Sequence, residues 1–378
     1  MTRRKIVMRW LLPAAIATLF LADCPAFRAH QSTQSNNISS PQAEADLQKG
    51  IDLTRQGLFN EAIPLFLIAR GHVSDSYAAD FNLALCYIAT SQFPSAIQLL
   101  ENLRGSGHAN ANVENLLAQA RIGTGDSEQA FESLQRAANL TPSNEKLYIF
   151  VADACADHQN YSLGVRVVDL GLQQLSQSAR LQYQRAYFLS MLDQYDAAKA
   201  NFDLASQLEP HSEIAFLAEA QKNFFGGNLQ ETIRIARLAI QEKHANDLTL
   251  TLLGDSLLRA GASPGQPEFA EAESVLRQSL SAKPNRATTQ IALGYLLLLS
   301  NHLDEARAHL EQGRTLDPRN PSVYSRLGIV YRKLGKQKEA EETLATLAKL
   351  NTQEAVRINT APGERQPVPA GVPSQPRK

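Results

Sequence analysis

The chain has 378 residues, 44% of them hydrophobic, and a formal net charge of −1. That is ordinary globular composition, with ample length for a hydrophobic core. Charge is uneven: Ala43 to Ser178 carries 8 basic and 15 acidic residues, Ala179 to Glu354 carries 20 and 21, and the tail from Ala355 carries 4 and 1. No segment is basic enough to make nucleic acid the main partner.

Residues 1–26 read as an export signal. Arg3, Arg4, Lys5 and Arg9 form a positive start, and Trp10 to Ala22 is an apolar run of 13 residues. A membrane span needs about 20. Cys24-Pro25-Ala26 offers small residues for cleavage. The expected location is therefore periplasmic or secreted; the alternative is an uncleaved anchor over residues 6–26. Thr2 to Val7 loosely resembles a twin-arginine signal, and Leu21 to Cys24 a lipoprotein box in which Asp23 replaces a small residue. A plain secretory signal fits better than either. Residues 27–42 are polar and short of apolar side chains, which predicts a flexible linker.

From Ala43 a period of 34 residues runs through 43–76, 77–110, 111–144, 145–178, 179–212 and 213–246. It continues through 247–286, where six residues are inserted around Gly261 to Glu268, then 287–320 and 321–354. In the fifth unit, Gln182, Arg185, Ala186 and Leu189 stand at positions 4, 7, 8 and 11. At 100° per residue they fall within about 100° of one another on a helix. Ala198, Phe202 and Ala205 make a second, narrower stripe, and Pro210 ends that helix. A small residue at position 8 facing another at position 20 lets two helices approach closely. The third, eighth and ninth units repeat the pattern clearly; in the sixth, Glu219 and Asn223 replace apolar residues. An insertion between the two helices costs only loop entropy and spares the stacking surface.

This spacing resembles the tetratricopeptide repeat, whose W-L-G-Y-A-F-A-P pattern it follows loosely. The expected fold is all-α: a right-handed superhelical solenoid of about nine helix hairpins. Gln353 to Ile358 would add a short cap, and the proline-rich remainder of 355–378 reads as disordered.

Positions 2, 5, 9, 12 and 13 lie opposite the packing stripe of the first helix. The resemblance implies that they line the concave wall where peptides bind. The residues there that stacking does not require are Tyr183, Tyr187, Met191, Phe224, Phe225, Ile291, Tyr295, Leu298, Phe81 and Leu85. If open, they would form an apolar surface suited to a partner. Tight curvature would instead bury them between repeats. Two devices of the family do not transfer: position 5 is never Lys and position 9 never Asn, so a carboxylate clamp is absent. Only Asn82 stands at position 6, so an asparagine ladder is absent too.

No catalytic motif of the nucleotide-binding, nucleophile-elbow or zinc-protease kind occurs. His302 and His309 read as a surface pair, and Asp153 and Asp157, four apart on one helix, as a solvated face. Cys86 and Cys155 lie two units apart, very roughly 20 Å in a stack of helices, too far for a disulfide. The expected function is a non-catalytic scaffold, without cofactor or metal, that holds an extended peptide or partner helix outside the cytoplasm. The alternatives are a structural subunit of envelope assembly or secretion machinery, or a regulatory subunit of an envelope enzyme. Membrane contact is expected only through the N-terminal anchor, and the oligomeric state is left open.

Overall fold

The computed structural model describes residues 40–360. The expected export signal, most of the linker and the proline-rich tail lie outside them. Among the described residues the chain forms eighteen α-helices, paired as nine hairpins, and no strand.

Seven hairpins make a first compact unit that ends at Arg286. They are α1 and α2 (Pro41–Arg55, Phe59–Ala69), α3 and α4 (Ser76–Ala89, Phe93–Leu103), and α5 and α6 (Ala111–Thr124, Ser127–Leu140). Next come α7 and α8 (Glu145–Asp157, Tyr161–Gln174) and α9 and α10 (Ala179–Met191, Tyr195–Leu208). The unit closes with α11 and α12 (Glu213–Phe225, Leu229–Gln241) and α13 and α14 (Asp247–Arg259, Pro267–Ala282). A second unit, from Ala287, holds α15 and α16 (Ala287–Leu299, Leu303–Leu316) and α17 and α18 (Pro321–Lys333, Gln337–Thr360). The last helix runs on to Thr360 where the sequence predicted a separate short cap from Gln353; no proline interrupts it before Pro362, and Gln, Glu, Ala and Arg favour helix. No helix among the described residues is long and apolar enough to cross a membrane.

One backbone device closes all nine first helices. Residue 15 of every unit is left-handed: Gly57, Ser91, Gly125, Gln159, Asp193, Gly227, Gly261, Asn301 and Gly335, with φ between 55° and 102°. The next residue's N–H then reaches back to the carbonyl of residue 11, as in Leu58 to Leu53, Asn160 to Cys155 and Ala262 to Leu257. This pattern satisfies the helix's last carbonyls and fixes the reversal into the second helix. It survives in the seventh hairpin because the extra residues enter after it. Gln266 then accepts from the Ser263 N–H at 2.9 Å and leads into α14.

Packing explains the small residues at position 8. A Cβ on Gly50 would stand 2.8 Å from Phe66, and one on Gly254 only 2.5 Å from Leu276. Ala84, Ala118, Ala152, Ala186 and Ala220 fill the same place and are fully buried. Each first helix thus lies close against its own second helix, and the bulky residue at position 24 fills the gap.

Candidate functional site

The first-helix face of the seven-hairpin unit is less open than a single helix suggests. Position 5 is buried in all seven hairpins: Leu47, Phe81, Asn115, Ile149, Tyr183, Leu217 and Thr251. Successive first helices touch one another, so a side chain facing away from its own hairpin is covered by the next. This settles where the expected apolar residues lie. Phe81, Leu85 and Tyr183 are core in the first unit, and Ile291 and Leu298 are core in the second. They present little side-chain surface to a ligand.

Tyr187, Met191, Phe224, Phe225 and Tyr295 are half-buried. Their rings already have neighbours. Tyr187 stands edge-on to Tyr161 at 6.4 Å, and Phe225 stacks on Phe202 at 6.4 Å. The Arg259 guanidinium lies 4.9 Å over Phe224, held by Asp255 at 2.9 Å. Tyr295, in the second unit, carries Arg326 at 4.3 Å over its ring. These aromatics tie first helices to their surroundings.

Between the third and seventh hairpins the face becomes polar. Gln119 donates to Asn115 at 2.7 Å, and Asn115 donates to the Leu147 carbonyl at 2.8 Å, joining α5 to α7. Gln184 on α9 donates to Asp153 on α7 at 2.8 Å. Tyr183 donates to Gln221 on α11. Thr251 on α13 and Ser279 on α14 share a hydrogen bond of 2.9 Å. Each of these groups is buried except Asp153, and the hydrogen bonds satisfy them apart from the Gln184 Oε1, which has no partner among the described residues. Burial pushes the Tyr183 hydroxyl's pKa up, so it stays a neutral donor.

Asp153 and Asp157 are the exception. Both side chains touch water. Yet the protein around them replaces enough solvent to push each carboxyl up to about 6, and for Asp157 the charge of Asp153 adds to this. A group that is wet yet partly desolvated lines a recess. Opposing cations act on the pair from the end of the seventh hairpin: Lys283 and Arg286 on both, and Arg180 of α9 on Asp153. Neither carboxylate forms an ion pair within 4 Å among the described residues. Arg286 is held by Asp247. It stands where the preceding hairpins offer Asn or Ser: Asn110, Ser178, Ser212 and Asn246 each cap the next first helix through a side-chain oxygen. The sequence reading of Asp153 and Asp157 as a merely solvated face missed this, because Lys283 and Arg286 are remote in the chain. An arginine at the position where other units carry Asn or Ser is the one local signal.

Elsewhere the polar groups serve packing. Buried Arg121 pairs with Glu101 at 2.7 Å, linking hairpins three and two, and buried Glu114 pairs with Arg136 at 2.9 Å within hairpin three. Cys86 and Cys155 are buried free thiols, pushed up to about 12 by desolvation. His309 bonds Gln290 at 2.7 Å and His302 bonds Ser300 at 3.2 Å. A recess of about 600 Å³ between α6 and α8 is lined by Glu132, Arg136, Tyr148 and Gln174, but Tyr148 donates to Pro142 and Arg136 is held by Glu114. No group of three His, Cys, Asp or Glu among the described residues is placed to hold a metal.

Models of the tetratricopeptide repeat match residues 47–112, 265–325 and 303–358. In the APC/C hetero-tetramer Cut9-Hcn1 a chain superposes with a TM-score of 0.50 at 15% identity, over 84% of this chain and 66% of that one. The present chain thus spans just under two thirds of that protein's length. A tetratricopeptide repeat protein from Parabacteroides merdae ATCC 43184 aligns over 68% of this chain and all of its own, at 16% identity and a TM-score of 0.48. Yeast Tom70 aligns over 93% of this chain and 72% of its own, at 18% identity and a TM-score of 0.47. The fold is that of a tetratricopeptide-repeat solenoid. It is an architecture of protein-binding scaffolds that are generally not catalytic.

Proposed function

We propose that the chain is an exported, non-catalytic scaffold that holds an extended segment of a partner protein against the first-helix face of hairpins four to seven. One observation carries this reading. Along a face where neighbouring hairpins cover most side chains, Asp153, Asp157 and Lys283 stay wet and form no ion pair within 4 Å among the described residues. Placing unpaired charges in a recess costs stability, and such local costs collect at functional sites. Export rests on the basic and apolar pattern of residues 1–26.

The test compares two charge insertions in the full chain. Asp157→Arg should abolish co-purification of the partner while the helical signal persists. Leu204→Arg, at an exposed position of α10, should leave it intact. Retention of the partner by Asp157→Arg would overturn the proposal.

A further inference from the structure

The recess on α7 is incompletely satisfied, and what it lacks has a definite chemistry. Asp153 accepts one hydrogen bond, from Gln184, although a carboxylate can accept about four. Asp157, four residues on, takes none from a described residue. Gln184 is only 8% exposed, and its Oε1 has no hydrogen-bond partner. That oxygen sits about 2.2 Å from the Nε2 that touches Asp153, because both belong to one planar amide. Two carboxylates with spare capacity thus stand four residues apart on α7, with an unpaired amide oxygen on the side chain that touches one of them, and a buried acceptor left unpaired is costly. What is wanted there is a donor with several N–H groups. Carboxylates four residues apart on a helix have Cβ atoms about 5–6 Å apart. A planar guanidinium with its five donors can bridge them, and an ammonium with three can reach one and Gln184.

Cations near the carboxylates would oppose a lone positive ion. Arg286 is committed to Asp247. Lys283 and Arg180 have no close carboxylate among the described residues and are exposed. A ligand that carries both signs is accommodated where a simple cation is not.

We propose that Asp153, Asp157 and Gln184 form a subsite for the guanidinium or ammonium group of a basic residue in the bound peptide. Lys283 and Arg180 receive a carboxylate of the same segment. This rests on the reading of the first-helix face as a peptide groove. Gln184 swings as the basic group enters, so that its oxygen meets an N–H in place of the void. Because opposite charges nearly balance in the recess, recognition depends on contact geometry and little on long-range attraction.

The test is selection of a displayed library of random peptides against the full chain, beside D153N/D157N and K283Q variants. Asn keeps the shape of Asp and removes its charge, so these variants fold. Selected peptides should carry Arg or Lys at one position with Asp or Glu nearby. The double variant should lose about tenfold in affinity for the best wild-type peptide, and K283Q should lose the acidic preference alone. Peptides selected without any basic preference, or a basic preference that survives in D153N/D157N, would overturn the subsite while sparing the groove. Selection of no peptide at all would overturn both.

Discussion

Hairpins one and two and hairpins four to seven present the same unit positions with opposite chemistry. In the first pair, Leu47, Ile51, Phe81, Leu85 and Ile88 occupy the first-helix face and are buried. In the later hairpins, Asp153, Tyr187, Gln221 and Asp255 take the place of Ile51 and Leu85. Contact between successive first helices buries apolar side chains in one region. In the other, hydrogen bonds are added beside buried Ile149 and Leu217, and a charged recess stays wet. Exposure of a position is therefore set by the neighbouring hairpin and not by the helix that carries it.

Leu85, 1% exposed, gives the widest contrast. Leu85→Ala should cost about 2–5 kcal/mol in urea denaturation, as truncation in a packed core does. A change within about 0.5 kcal/mol, as at a surface site, would break the comparison. Ala186→Phe should cost about 1–3 kcal/mol, since it overfills the close approach of α9 and α10; an unchanged melting transition would show that the helices are not locked there. Gln159 is left-handed at φ 55°, where Gly57 and Gly125 stand in other hairpins. Gln159→Gly should stabilise by about 0.5–1 kcal/mol, whereas Gly125→Ala should destabilise by at least as much.

The smallest effect belongs to the wet recess. Asp157 holds its proton up to about pH 6 in the folded chain, against a usual value of 3.8. Between these values the folded chain binds more protons than the unfolded one, so stability falls as pH rises through that window. At pH 7, Asp157→Asn should therefore stabilise, by less than about 1 kcal/mol because water screens the group. The gain should vanish near pH 4. A loss of stability at pH 7 would mean that the charge is already paired.

Much of this fold is legible in the sequence because it rests on short-range rules. Ala186, Leu189, Ala198 and Phe202 pack within one hairpin, and their spacing reveals the helix pair without knowledge of the rest. The left-handed residue at position 15 also left a trace, since glycine stands there in five units. The face away from the hairpin was harder. Phe81 and Leu85 resemble a binding surface until the next first helix is placed over them. Asp153 and Asp157 resemble an ordinary solvated pair until the fold brings Lys283 and Arg286 into their field. Tyr183 resembles a binding residue because stacking within its own hairpin does not require it. The structure gives its ring to the core and its hydroxyl to Gln221.

The most direct measurement is photo-crosslinking in native cells, with a benzophenone amino acid at Tyr187, half-buried on the same face, in one strain and at Leu204 in another, each adduct mapped to the peptide. The account predicts one discrete partner segment, containing a basic residue, from position 187 and no specific adduct from position 204. The same adduct from both positions, or one from position 204 alone, would contradict it.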